Sequence, residues 1–184
     1  MSRKYKFHDQ SKLYFVSFAT VYWIDALTRN EYKDIIVDSL KYCMKEKDLE
    51  LYAWVIMNNH VHLIVGTRGE FLQNIMRDLK KFTSKKIVES IRNNPQESRK
   101  EWMIWMFERA GRKNPNNEII QFWQQHNQPI ELTTALIMRQ KLEYLHENPV
   151  KAGFVRNPED WLYSSAIDYY TNNQKGLIAI DLIE

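Results

Sequence analysis

The stretch from Leu49 to Gly66 leaves this chain little conformational freedom. Leu49–Met57 alternates well enough for a strand, His60–Gly66 reads as another, and only Asn58-Asn59 stands between them. Asparagine tolerates the positive φ that tight hairpin turns require, so the two runs predict an antiparallel pair. Leu13–Ile24, nearly apolar and rich in β-branched and aromatic residues, predicts a strand buried on both faces. Asn30 is placed to cap a helix from Glu31 to about Lys47, with Tyr32, Ile35, Ile36, Leu40 and Cys43 or Met44 as its apolar stripe. A long basic helix is expected from Glu70 to about Asn93, with Phe71, Leu72, Ile75, Leu79, Phe82, Ile87 and Val88 on its apolar side. Glu118–Trp123 is the candidate fourth strand. Thr133 or Thr134 caps a last helix that Asn148-Pro149 is expected to stop near Glu147.

Between these elements, 93–118 reads as an irregular basic and aromatic excursion, and 149–184 as a turn-rich tail. The order strand, helix, strand, strand, helix, strand is α+β. It predicts a ferredoxin-like antiparallel sheet with helices packed on one face, plus an extra C-terminal helix and the tail. No internal repeat or linker divides the chain, so 1–184 is expected to form a single domain. A chain of 184 residues can bury a core without staples, and its one cysteine, Cys43, excludes an internal disulfide framework. No run approaches the length of a membrane span, and Met1–His8 has no apolar segment behind its charges. A cytoplasmic protein with no membrane partner is expected.

Charge is unevenly distributed. Arg77–Lys113 carries eleven basic and five acidic residues, a local +6 inside a chain whose total is +3. Such a basic third suits a polyanion, although a solvated helix face has the same composition.

The most informative residues are His60-Val61-His62-Leu63-Ile64-Val65. On a strand, His60, His62 and Ile64 share one face, and Val61, Leu63 and Val65 share the other. The apolar triplet packs on helices, which leaves two imidazoles about 7 Å apart at Cα on the opposite face. That spacing can grip one divalent ion, and it also arises in ordinary hydrogen-bonded surface histidines. Ile64 argues against a histidine-triad hydrolase. Two ligands need a third. Tyr144-Leu145-His146-Glu147-Asn148-Pro149 of the last helix offers Tyr144 and Asn148 one turn apart on one face, with His146 far around the helix.

Met57-Asn58-Asn59-His60-Val61-His62 resembles the His-hydrophobe-His signature of the HUH nucleases. The later Tyr144–Val155 segment and Pro158-Glu159-Asp160-Trp161-Leu162-Tyr163-Ser164-Ser165 resemble the REP-associated tyrosine transposases, relatives of the single-tyrosine transposases of bacterial insertion sequences. Phe122–Asn127 with Pro129–Leu132 is similar to the segment before the last helix in one branch of that family. The likeness spans roughly residues 11 to 168. Asn58 departs from the proline usual in this turn, and the excursion around Trp102 has no counterpart.

The resemblance implies His60 and His62 as metal ligands, Asn148 as the third ligand in place of a glutamine, and Tyr144 as nucleophile. It implies a divalent ion, Mg²⁺ or Mn²⁺, and nicking and strand transfer on single-stranded or hairpin DNA through a 5′-phosphotyrosine. Arg77, Lys80, Lys81, Lys85 and Lys86 are the expected phosphate contacts, and Trp102, Trp105, Phe107 and Trp123 are possible stacking residues. A silent nucleic-acid binder and a replication-initiator-type nickase are the alternatives, with Tyr163, Tyr169 and Tyr170 as other nucleophiles. Monomer and homodimer both stay open.

Overall fold

The hairpin forms in the computed structural model, which describes residues 7, 9–114, 119–125, 127–171 and 175–183, but neither Asn58 nor Asn59 takes the positive φ expected of its turn. β2 (Leu49–Ile56) and β3 (His60–Thr67) pair antiparallel, and the Met57 amide donates to the His60 carbonyl across Asn58-Asn59 at 2.8 Å. β1 (Tyr14–Ala19) lies on the other side of β3 and β4 (Ile130–Glu131) on the far side of β1. The order β2-β3-β1-β4, with α1 (Asn30–Glu46) after β1 and α2 (Leu72–Asn93) after β3, is the expected α+β, ferredoxin-like arrangement. Among the described residues no helix is long and apolar enough to cross a membrane.

Strand alternation sorts the core into two layers. Val16, Phe18, Trp54, Val61, Leu63 and Val65 pack with Ile36, Leu40, Ile75 and Leu79 of α1 and α2. Phe15, Ala53, Val55 and Ile64 face the opposite way, against Leu145 of α4 (Ala135–Lys151). A bulge between Leu51 and Ala53 lets β2 keep both sets in register. The extra helix thus covers the face that α1 and α2 leave open.

Several expectations need correction. The first strand stops at Ala19 rather than Ile24, because Thr20 turns the chain by donating its hydroxyl to the Ile24 carbonyl at 2.7 Å. Within that turn Val21 and Ile24 enter the core, while Tyr22 and Trp23 point outward at φ 55° and 56°. Left-handed φ at bulky residues costs on the order of 1–3 kcal/mol each. The excursion is not irregular throughout: Lys100–Arg112 forms α3, which buries Met103, Phe107 and Ala110 at helical spacing. Of the expected fourth strand, Glu118 lies outside the described residues and only Trp123 forms a bridge, an isolated one to Thr20 just past β1. Regular pairing waits until Ile130, beyond the Asn/Gln/Pro-rich stretch.

The last helix also runs past its expected stop, to Lys151, with Pro149 inside it. In a final turn a proline removes a single amide donor, and Gly153 at φ 75° ends the helix instead. The described part of the tail packs back on the sheet. Ser164 bridges Val55, the Ser165 amide donates to the Trp54 carbonyl, and the Trp54 amide donates to Ser165 Oγ, both at 2.9 Å. His146, fully buried on α4, shares a 2.9 Å hydrogen bond with the same Ser165 Oγ. The outer edge of β2 is thereby covered. A short helix, α5 (Ala166–Tyr170), follows.

The α2–α3 connection is held to α1 by the buried carboxylate of Glu97, 3.0 Å from Arg29 and 3.1 Å from Arg99. Burial alone would raise its pKa, but donation from Arg99 and Arg29 outweighs this and holds it below the usual value. A carboxylate depressed by folding contributes stability that is lost as pH falls through its folded pKa. Glu97→Gln should therefore lower Tm at neutral pH, and the gap to the unmodified chain should close below about pH 4. Thermal melts across that range check this, and a gap independent of pH contradicts it.

Candidate active site

β3 begins at His60 and α4 runs toward that same end of the sheet, so the two elements bring four expected residues together. The rings of His60 and His62 lie 4.8 Å apart between centroids, and the Tyr144 ring is 5.4 Å from His62. Asn148 Oδ1 is 3.2 Å from His60 Nε2. All four belong to one chain.

His62 does not protrude as the sequence suggested. It is 5% exposed, enclosed by Phe15 at 5.2 Å together with His60 and Tyr144. Its Nδ1 shares a 2.8 Å hydrogen bond with Ser17 Oγ, while its buried Nε2 has no hydrogen-bond partner. Burial first, then the neighbouring His60 and Lys141, push its pKa down to about 3, so the ring is neutral. In the tautomer that donates Nδ1–H to Ser17 Oγ, the Nε2 lone pair is the free one.

His60 is half-buried, and burial lowers its pKa against an opposing contribution from Asn148. Asn59 fixes its tautomer. The Asn59 amide nitrogen donates to Asp25 at 2.8 Å and to the Trp23 carbonyl at 3.3 Å, leaving Oδ1 to accept from His60 Nδ1 at 2.7 Å. Asn148 is oriented in the same way. Its amide nitrogen donates to the Tyr144 carbonyl at 2.9 Å, so Oδ1 faces His60 Nε2. In the neutral ring two lone pairs then face each other, an arrangement that calls for a proton or a cation between them.

Among the described residues no three His, Cys, Asp or Glu cluster to hold a metal. The donor set here is two imidazoles and an amide oxygen, with each imidazole oriented through its other nitrogen. Tyr144 is 44% exposed, and its ring and that of Phe15 both carry the Lys141 ammonium, 5.6 and 5.0 Å from their centroids.

The other expected residues divide. Tyr163 is buried and donates its phenol to Asp34 at 2.8 Å, and burial and that carboxylate raise its pKa strongly. The Tyr169 phenol donates to the Tyr52 carbonyl at 2.8 Å, and Tyr170 packs on His146. Phe107 and Trp123 are core residues, whereas Trp102 and Trp105 are exposed.

Arg77, Lys80, Lys81, Lys85 and Lys86 all lie on α2, across the sheet from the histidines. Lys80 faces inward. It donates to the Gln124 carbonyl at 2.7 Å and to Asn127 Oδ1 at 2.8 Å, and burial pushes its pKa down to about 8. It ties the segment beside β1 to α2 rather than presenting a free cation. Arg77 pairs with Asp78 and Lys86 with Glu89, while Lys81 and Lys85 are exposed without an ion-pair partner among the described residues.

Ser17, Asn59 and Lys141 escaped the sequence reading. Lys141 was accessible, three residues before Tyr144 on one helical face. Ser17 was not, since its pairing opposite His62 depends on strand register.

Comparison with solved structures finds a REP-associated tyrosine transposase bound to a REP hairpin. It is 17% identical with a TM-score of 0.65, and the match covers 98% of this chain and 100% of that one. A crystal structure from Deinococcus radiodurans R1 aligns at 18% identity with a TM-score of 0.45, over 80% of this chain and 97% of that one. The first likeness shows a shared fold. No curated protein matches the sequence. The family model described as transposase IS200-like matches residues 12–108, which carry β1 through most of α3 and include both site histidines. That is more than half of the sequence, and the chain belongs to the IS200-like transposase family.

Proposed function

We propose that this transposase nicks single-stranded DNA beside a hairpin and rejoins it through a 5′-phosphotyrosine on Tyr144. The observation that carries this reading is the Tyr144 ring 5.4 Å from His62, whose buried Nε2 lacks a partner, within one chain.

A phenol has a pKa near 10 and is a weak nucleophile at neutral pH unless its oxyanion is stabilised or its target polarised. The Lys141 ammonium lies 5.6 Å from the centroid of the Tyr144 ring. The Tyr144 oxygen attacks phosphorus, its proton leaves, the P–O3′ bond breaks and the departing 3′ oxygen takes up a proton. One ester replaces another, so the reverse step can join a different 3′-hydroxyl without a nucleotide cofactor. His60 Nε2, His62 Nε2 and Asn148 Oδ1 would hold Mg²⁺ or Mn²⁺, which supplies charge neutralisation and polarisation of the phosphate.

An open strand has to reach the sheet end where His60 lies. α2 runs back from the end of β3, so its C-terminal half reaches the same end from the other face, with Lys81, Lys85 and Arg92 lining a surface groove beside Glu89 and Ile120. Those cations suit a DNA stem while the flank enters the site. The fold shared with a hairpin-bound transposase supports a palindromic hairpin as substrate.

With labelled hairpin DNA carrying a single-stranded flank and Mn²⁺, the unmodified chain should form a covalent adduct that Tyr144→Phe abolishes, with hairpin affinity kept within a few-fold. An adduct that survives the substitution overturns the role of Tyr144, and shifted but uncut DNA with the unmodified chain points to a silent binder.

His62→Ala should remove both the adduct and Mn²⁺ binding by calorimetry. Ser17→Ala, which only frees the ring, should weaken Mn²⁺ by about 10- to 100-fold. Unchanged Mn²⁺ affinity in both contradicts the ligand assignment.

Lys81→Glu and Lys85→Glu should weaken hairpin binding, and each should flatten the slope of log affinity against log salt by roughly 0.7–0.9. An unchanged slope removes them from the interface.

A further inference from the structure

The turn after β1 exposes two adjacent aromatic residues in a conformation that folding does not favour. Tyr22 and Trp23 sit at φ 55° and 56° and are 47% and 59% exposed. Burying Val21 and Ile24 on either side explains why the pair points outward but not why large rings occupy left-handed positions, where glycine or asparagine is easily accommodated. Costly backbone of this kind is retained where the side chains it presents are used.

Their place is specific. The Trp23 ring meets the His60 ring 5.8 Å away at 67°, an edge contact that leaves much of the indole in solvent. Asn59 joins the two by accepting from His60 Nδ1 while donating to the Trp23 carbonyl. The segment is pinned further by Val21, whose amide donates to the Phe122 carbonyl at 2.8 Å. A rigid, open π-surface thus stands beside His60.

We infer that Trp23, supported by Tyr22, is the subsite for the unpaired nucleobase next to the scissile phosphate. A nucleotide's base lies one ribose away from its phosphate, so a phosphate held at His60 brings a neighbouring base within reach of the indole. Stacking on an aromatic face tolerates any base and keeps the strand splayed, which in-line attack by Tyr144 requires. Trp23 is a positioning residue in this assignment. It rests on the nicking reading above for the identity of the phosphate, while its ligand class, a single-stranded base, can be tested without cleavage.

The probe is a hairpin oligonucleotide whose single-stranded flank carries 5-iodouracil at successive positions, irradiated with the Tyr144→Phe chain. One flank position should crosslink to Trp23 or Tyr22, located by peptide mass spectrometry. In the otherwise unmodified chain, Trp23→Ala should slow adduct formation by about 5- to 150-fold, the factor that base–aromatic stacking provides, and Trp23→Phe should restore part of it. Circular dichroism confirms folding of each variant, and both sites are exposed. If no adduct forms in any variant but the crosslink maps to this pair, the subsite stands and the nicking reading falls. If an adduct forms while no flank position crosslinks to Tyr22 or Trp23 and Trp23→Ala reacts at the unmodified rate, the subsite assignment is overturned and the nicking reading survives.

Discussion

The two-residue period of β3 decides where everything chemical in this protein sits. His60 and His62 share the sheet face that α4 covers, while Val61, Leu63 and Val65 fill the core under α1 and α2. Slipping the strand by one residue would exchange the two sets, putting the imidazoles among the hydrocarbon under α1 and α2 and three aliphatic side chains on the face that α4 covers. Register is therefore fixed by the larger apolar layer, and the site inherits its geometry from that packing. The pairing of Ser17 with His62 and of Ala19 with His60 follows directly. It orients one imidazole through Ser17 and places the other beside the turn that Asn59 organises.

Much of this was legible because it is local. The hairpin follows from two alternating runs around Asn58-Asn59, and the facing of the histidines from strand periodicity alone. Tyr144 and Asn148 lie one helical turn apart, so their co-presentation could be read as soon as the helix was placed. The seating of His62 was not legible, since its enclosure by Phe15 and Tyr144 depends on how α4 crosses the sheet. Lys80 shows the same limit. Its position in a basic run suggests a solvent-facing cation, but a segment more than forty residues later folds back to accept its protons. The fourth strand was misplaced for a related reason, because propensity favours Glu118–Trp123 whereas pairing with β1 is decided by the path of the chain between them.

Burial gives the site its electrical character. A neutral His62 with an unpartnered nitrogen, and His60 Nε2 set against an amide oxygen, form a pocket short of positive charge. Lys141 lies across the Tyr144 and Phe15 rings instead of among the nitrogens, so it does not compete for the donor atoms. Fold and chemistry meet at one end of the sheet. There β3 begins, α2 and α4 finish and the strained Tyr22-Trp23 turn projects, all within a family of transposases.

The most direct measurement is tandem mass spectrometry of the covalent protein–DNA complex after nuclease trimming. The account predicts a nucleotide joined through its 5′ phosphate to the Tyr144 oxygen. A nucleotide on Tyr22, Tyr170 or any other side chain, or one joined through a 3′ phosphate, would contradict it.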